Sequence, residues 1–291
     1  MNNLLAFLLG ILQGITEFLP VSSTGHMIFM EHLTNYRDQV LLFHTFVHLG
    51  TLIAIFGYMR KDIKRLSGES VSIAKEAGQN AGIWFKSRKS GEEPQYRRVI
   101  RTNYRKMALM ILVATIPTAI LGGILEEVTF FGSYSMLYTG VGCLLTAIIL
   151  FVTSMVQVKN VIPKDMPYWK AALIGAGQGF SVLPGISGPG VSMCTGILSG
   201  FSKKNAIRFA YLLSIPAVLG GFIVELVMGI RLHAFTSAIL VEGILGMIAA
   251  CITGWFMIRI GLRFTRKHSF KAFAAYNLAL GILMIALSFV A

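Results

Sequence analysis

The chain has 291 residues, carries 26 Lys and Arg against 13 Asp and Glu, and is 55% hydrophobic but only 13% charged. Soluble domains are about 45–50% apolar and about 25% charged, so this composition excludes an ordinary soluble enzyme or a disordered tail. A mean hydropathy of +0.68 points to a polytopic membrane protein.

A hydrocarbon core about 30 Å thick takes roughly 20 apolar residues per helical span. In chain order, the first apolar stretch, residues 2–30, is cut by Leu19-Pro20-Val21-Ser22-Ser23-Thr24-Gly25. Residues 39–59 are long enough to cross. The polar segment 60–106 reads as a cytoplasmic loop, with an amphipathic surface helix over 67–82 and open loop over 87–95. Spans follow at 107–125 and 134–158. The stretch 171–201 is again interrupted, by Leu183-Pro184-Gly185-Ile186-Ser187-Gly188-Pro189-Gly190, and spans close the chain at 205–230, 236–258 and 270–291. Non-helical backbone at membrane depth survives only where protein or a wet cavity satisfies it. The two interrupted stretches therefore read as re-entrant helix–loop–helix hairpins. The expected fold is an all-α integral membrane protein of six transmembrane helices and two such hairpins.

The basic residues follow this division. Segment 60–106 holds 13 of them, 159–170 three, 203–208 three and 259–271 five, leaving only Arg37 and Arg231 elsewhere. Six crossings put 24 of the 26 on one side, which the excess of Lys and Arg marks as cytoplasmic. Both termini then lie outside the cytoplasm. The net charge of +13 is thereby explained by topology, and nucleic acid is not an expected partner. No basic segment precedes Leu4 and no small-residue cleavage site follows, so a removable signal peptide is not expected. Cys143, Cys194 and Cys251 sit in apolar stretches without metal or redox spacing and read as small buried hydrophobes.

The two hairpins resemble each other. Gln13-Gly14 leads through Leu19-Pro20 to Gly25, and Gln178-Gly179 through Leu183-Pro184 to Gly190, with a Gln-to-Gly spacing of 12 in both. Three spans follow each hairpin, so a second copy must be inverted. The expected organisation is one membrane domain in two inverted repeats, 1–158 and 159–291, with the binding site where the hairpins meet.

The densest chemistry is Gln13-Gly-Ile-Thr-Glu17-Phe-Leu-Pro-Val-Ser22-Ser23-Thr24-Gly25-His26. A carboxylate inside a membrane segment is costly and marks function. Gln13 and Glu17, four apart, share a helix face. Pro20 ends that helix, and Ser22, Ser23, Thr24 and Gly25 offer hydroxyls and backbone N–H groups where the next helix starts, an anion site by donor geometry and dipole. His26 can serve as acid, base or nucleophile. The set suits phosphoryl transfer, and equally a polar re-entrant loop in an ion or solute transporter.

This run resembles the signature of the bacterial undecaprenyl pyrophosphate phosphatase family of the bacitracin-resistance type. The likeness continues in Leu49-Gly50-Thr51-Leu52-Ile53-Ala54, Ala114-Thr-Ile-Pro117, Gly175 to Gln178, Leu183 to Ser187 and Leu212 to Pro216, nearly the whole chain. It implies a multi-pass enzyme of the bacterial plasma (inner) membrane. Such an enzyme hydrolyses undecaprenyl pyrophosphate, an isoprenyl pyrophosphate lipid, to the monophosphate carrier, recycling it for the cell wall and conferring bacitracin resistance. It also implies a divalent cation, Mg2+ or Ca2+, at Glu17. In the resemblance Glu17, His26 and Ser23 are catalytic, and Gln13, Ser22, Thr24, Gly25, Ser187 and Gly188 bind substrate. A homo-oligomer is compatible with it. One departure stands out: the family's second motif carries an Arg where this chain has Gly188, and a Ser where it has Pro189. An Arg fork clamps a pyrophosphate bidentately, so the sequence predicts a slow, metal-dependent enzyme that gains on restoring Arg and Ser at 188 and 189. Loss of the Arg also leaves a lipid-phosphate transporter, or a pyrophosphate-lipid binding protein, as alternatives.

The remaining polar residues read mainly as structure. His44 and His48 share a helix face and either bond neighbouring helices, ligate a metal or join the site. Glu225 lies near an outer boundary, and Glu242 within a span is a weaker candidate for function. Lys203, Lys204 and Arg208 read as topology anchors with lipid head-group contact second, and Trp84, Trp169 and Trp255 as interface anchors or packing.

Overall fold

The computed structural model describes residues 2–34, 40–132, 135–231, 236–267 and 269–290, with the side chains of 40, 41 and 126–132 left aside. Among these residues the chain is built from α-helices: α1 (Asn3–Thr16), α2 (Ser23–Leu33), α3 (Val40–Tyr58), α4 (Arg60–Ser90), α5 (Asn103–Gly132), α6 (Met136–Met155), α7 (Tyr168–Phe180), α8 (Gly188–Leu198), α9 (Lys203–Arg231), α10 (Ser237–Lys267) and α11 (Lys271–Ser288). A 3-10 turn at Pro163–Asp165 precedes α7. Helices α5, α6, α9, α10 and α11 are long and apolar enough to cross a membrane. The segment Leu42–Tyr58 of α3 adds a sixth when taken with α4, from which it is bent by 79°. The expected spans are therefore present as helices, and the chain is an all-α, multi-pass membrane protein. Gln39, Tyr134 and Ala291, at the ends of three expected spans, lie outside the described residues.

The outer faces fit lipid. Leu112, Ile116, Ile120 and Ile124 on α5, Ile148 on α6 and Ile252 and Phe256 on α10 are exposed, apolar surface that water would penalise and hydrocarbon does not. Inside, the main core gathers Met166, Ile174, Met193, Phe201, Phe209 and Tyr211, all buried.

Without a hydrophobic drive between helices in lipid, close approach depends on small residues. A Cβ added to Gly10 of α1 would lie 2.3 Å from the carbonyl oxygen of Gly246 on α10, and one added to Gly175 of α7 would lie 2.0 Å from that of Ala114 on α5. One turn on, Gly14 lies against Ala250 of α10, and Gly179 against Pro117 and Thr118 of α5. Each short hairpin helix thus packs through two glycines on one long helix. Helices α6 and α11 meet reciprocally: a Cβ on Gly140 would lie 2.9 Å from Gly281 O, and one on Gly281 2.8 Å from Gly140 O.

Two boundaries correct the expectation. Helix α4 runs the whole way from Arg60 to Ser90, past Gly82 and through the first part of the expected loop. Lys89 and Arg88 in its last turn complement the helix dipole, and Gly91 at φ 75° ends it in the left-handed conformation. The backbone after it turns back: Asn80 Nδ2 donates to Arg97 O at 2.8 Å, and Arg97 N donates to Asn80 Oδ1 at 2.9 Å. Arg105 on α5 then holds Glu69 at 2.7 Å and Glu76 at 2.8 Å on α4. Helix α10 continues past residue 258 to Lys267, because the basic residues near its end lie on an exposed helical face that needs no lipid.

Candidate active site

Helix α1 ends at Thr16, and Glu17 caps it through a backbone N–H donated to Gln13 O. The chain then turns through Pro20, and α2 begins at Ser23. Ser22, its N-cap, has φ 61° and ψ 94°. A non-glycine residue held there costs on the order of 1–3 kcal/mol and persists only where its surroundings impose it. Here three contacts do so: Gly25 N donates to Ser22 Oγ at 3.1 Å, His26 N donates to Ser22 O at 3.3 Å, and His26 Nδ1 lies 2.8 Å from the same carbonyl.

That turn brings the carboxylate and the hydroxyls together. Ser23 Oγ donates to Glu17 Oε2 at 2.5 Å, and Gln13 Nε2 donates to the same oxygen at 3.1 Å. Ser22 Oγ and Thr24 Oγ1 are 3.3 Å apart. Gln13 is fully buried, and its Oε1 has no partner among the described residues. An orphaned buried acceptor beside a carboxylate is a costly arrangement for the apoprotein. It is also the hard oxygen chemistry that a divalent cation takes when substrate phosphates complete its shell. Among the described residues no cluster of three or more His, Cys, Asp or Glu could hold a metal by protein ligands alone.

His26 is buried and fixed at both ring nitrogens. With Nδ1–H donated to the Ser22 carbonyl, Nε2 is the acceptor, and Tyr276 Oη of α11 donates to it at 2.5 Å. The two rings stack at 5.5 Å with 7° between their planes. The next residue, Asn277, donates from Nδ2 to Pro20 O at 2.9 Å. Tyr276 and Asn277 are the site neighbours that sequence reasoning passes over. The signal for Asn277 was a polar side chain inside a span; Tyr276 gave none.

The second hairpin reaches the first, but by other atoms than expected. Gly185 N donates to Thr24 Oγ1 at 3.3 Å, and a Cβ on Gly190 would lie 3.2 Å from Pro20 Cβ. Ser187 instead caps its own helix, accepting from Gly190 N at 3.2 Å, while its backbone N donates to Thr146 Oγ1 at 3.1 Å. Gly188 lies against Ser181 and Gln178: a Cβ there would lie 3.0 Å from Ser181 Oγ and 3.1 Å from Gln178 Nε2. Gln178 is itself tied to Ser192 Oγ, which donates to its Oε1. Six of the nine expected site residues, Gln13, Glu17, Ser22, Ser23, Thr24 and His26, share one hydrogen-bonded loop; Gly25 joins it through its backbone. Ser187 and Gly188 lie at the start of α8 and make no hydrogen bond to those side chains among the described residues.

A second polar set ties α2, α3 and α9 together. His44 Nε2 lies 2.7 Å from Glu31 Oε1, Thr45 Oγ1 donates to Glu225 Oε2 at 2.8 Å, and His48 Nδ1 bonds the His44 carbonyl at 2.9 Å. His44 and Glu225 thus bridge helices.

A family model described as bacitracin resistance protein BacA matches residues 6–283. The chain belongs to the BacA family. It is 33% identical over 291 residues to the undecaprenyl-diphosphatase of Alkaliphilus metalliredigens (strain QYMF), covering 99% of both chains. Over 285 residues it is 33% identical to the undecaprenyl-diphosphatase of Methanosphaera stadtmanae, covering 98% of each. It is also 33% identical to that of Desulfosudis oleivorans, covering 94% of each. The BacA match takes in the whole Gln13–His26 loop and the second hairpin.

Proposed function

We propose that this chain hydrolyses undecaprenyl pyrophosphate to undecaprenyl phosphate and inorganic phosphate, and that the loop from Gln13 to His26 does the chemistry. The activity is the one its full-length relatives are named for. The observation that carries the site is Ser23 Oγ at 2.5 Å from Glu17 Oε2 in a strained turn at a helix start.

In this reading the terminal phosphate lies against the first turn of α2, where unpaired N–H groups and the helix dipole favour an anion. Ser22 and Thr24 hold its oxygens. Glu17 takes the Ser23 hydroxyl proton as Ser23 Oγ bonds the terminal phosphorus, and the bridging P–O bond breaks to release undecaprenyl phosphate. Water then attacks the phosphoserine and restores the Ser23 hydroxyl. His26 Nε2 takes the proton of that water in exchange for the Tyr276 hydroxyl, its ring kept in place by the Nδ1–H bond to the Ser22 carbonyl. Glu17 and Gln13 Oε1 would hold a divalent cation, which neutralises phosphate charge when bound. Recycling the carrier lipid would supply cell-wall synthesis and confer bacitracin resistance.

The paired packing of α1 on α10 and α7 on α5, through glycines at matching positions, supports an inverted repeat with halves 1–158 and 159–291. The reciprocal Gly140–Gly281 contact is what a two-fold relation between α6 and α11 would give. The concentration of Lys and Arg supports a plasma-membrane orientation with that end cytoplasmic, both termini outside and the hairpins re-entrant. The test is phosphate release from undecaprenyl pyrophosphate by the purified chain. One phosphate per lipid monophosphate formed is expected; lipid bound or moved across a bilayer without phosphate release would contradict it.

A further inference from the structure

We propose a second phosphate-binding site, separate from the hairpin loop, in the basic cavity between the ends of α3, α9 and α10. The cavity measures about 560 Å³, within the range of small-ligand pockets. Six cations line it: Lys204 and Arg208 on α9, and Arg259, Arg263, Arg266 and Lys267 on α10.

Their spacing carries the argument. Topology requires only that basic residues lie at one end of the bundle; it does not require them to share a face. Residues 259, 263, 266 and 267 recur at the i, i+4, i+7, i+8 positions of one helical stripe, and 204 and 208 at i, i+4. The two stripes converge on one concave space. Asp62 is the one acid lining it, and it is already engaged by Arg208, which also donates to Tyr104 Oη at 2.5 Å. The other five cations make no ion pair among the described residues. Like charges gathered around a cavity repel unless an anion enters, and three free guanidinium forks match phosphate oxygens.

The cavity lies behind the tip of the first hairpin. Leu262 lines it, and a Cβ on the adjacent Gly261 would lie 3.0 Å from Phe18 O and 3.2 Å from Tyr211 Oη. Tyr211 donates to Phe18 O at 2.5 Å, so backbone and a buried phenol separate the cavity from Glu17. The ligand is a phosphomonoester or diphosphate group, borne by a lipid head group at the membrane surface or free in solution.

The test is calorimetric titration of the full chain in phosphatidylcholine nanodiscs with methylenediphosphonate, a non-hydrolysable diphosphate. Arg263→Gln/Arg266→Gln should weaken binding at least about tenfold, as loss of charged hydrogen bonds does. Lys86→Gln/Lys89→Gln, which removes the same charge from exposed positions on α4, should leave it unchanged. Arg266→Gln alone, with a smaller loss, covers the case in which the double variant does not fold. Phosphatidic acid placed in the disc should displace the probe if the natural ligand is a lipid head group; displacement by soluble phosphate alone would assign a free anion. An unchanged isotherm in both Arg variants, or equal losses in the α4 control, would overturn the site. The hairpin loop would take the same probe, so only binding lost in the Arg263 and Arg266 variants reports on this cavity, whatever the catalytic assignment.

Discussion

Ser23 Oγ sits 2.5 Å from Glu17 Oε2, across a six-residue turn, with Gln13 Nε2 on the same carboxylate oxygen. A carboxylate held by two donors is oriented before substrate arrives, and the hydroxyl on it belongs to the first residue of α2. Residues acting as one unit lose activity together rather than additively. Ser23→Ala should lower phosphate release about 10²-fold or more, and Ser23→Ala/Glu17→Gln should be little worse than the single change. Rates that multiply in the double variant would show that the two act separately.

Tyr276 positions His26. Removing its hydroxyl in Tyr276→Phe frees Nε2 while keeping the stacked ring. Turnover should fall about tenfold, the loss of one neutral hydrogen bond, with KM nearly unchanged. Steady-state kinetics on wild type and Tyr276→Phe checks this: a change confined to KM would make Tyr276 a lipid contact instead.

A side chain at position 188 meets tight surroundings, which oppose the gain expected from an Arg there. Ser181 Oγ and Gln178 Nε2 stand 3.0 and 3.1 Å from the Cβ position, and Ser181 Oγ is committed to Gln178 O at 2.6 Å. Overfilling such a position costs about 1–3 kcal/mol. Gly188→Arg/Pro189→Ser should lower the melting temperature in detergent and leave phosphate release no faster. Thermal unfolding and phosphate release measured together decide it; a faster, equally stable variant would restore the original expectation.

The helices, the broken hairpins and the Gln13–His26 loop were legible because membrane depth leaves few explanations for a Pro, a carboxylate and three hydroxyls in one apolar stretch. The end of α4 was not, because the polar, Gly-containing stretch before Gly91 reads as loop, whereas in the fold it is held as helix through Asn80 and Arg97 across the return segment. Tyr276 was missed for a related reason: it meets His26 from 250 residues away, and nothing local marks it. Ser187, which the resemblance gives as a substrate-binding residue, also caps the N–H groups of its own helix.

Acid should loosen α4 from α5. Hydrogen bonding to the Arg105 guanidinium holds the Glu76 carboxyl below its ordinary value of 4.5. A carboxyl lowered in the folded chain contributes stability that is full above its unfolded value and is lost as pH falls through the lowered one. Proteolysis of the exposed segment after α4 should therefore accelerate below about pH 4.5, and high salt should shift the onset upward by screening the pair. Glu76→Gln should abolish the acid dependence. An acid onset unchanged in that variant would assign it to other carboxylates.

The most direct measurement is the initial rate of phosphate release from undecaprenyl pyrophosphate by wild type and Glu17→Gln, side by side in one detergent, with and without chelator. Release by wild type that falls in chelator, with Glu17→Gln slower by about 10²-fold or more and equally well folded, is the predicted result. Equal release by the two proteins would place the chemistry outside the first hairpin and contradict the account.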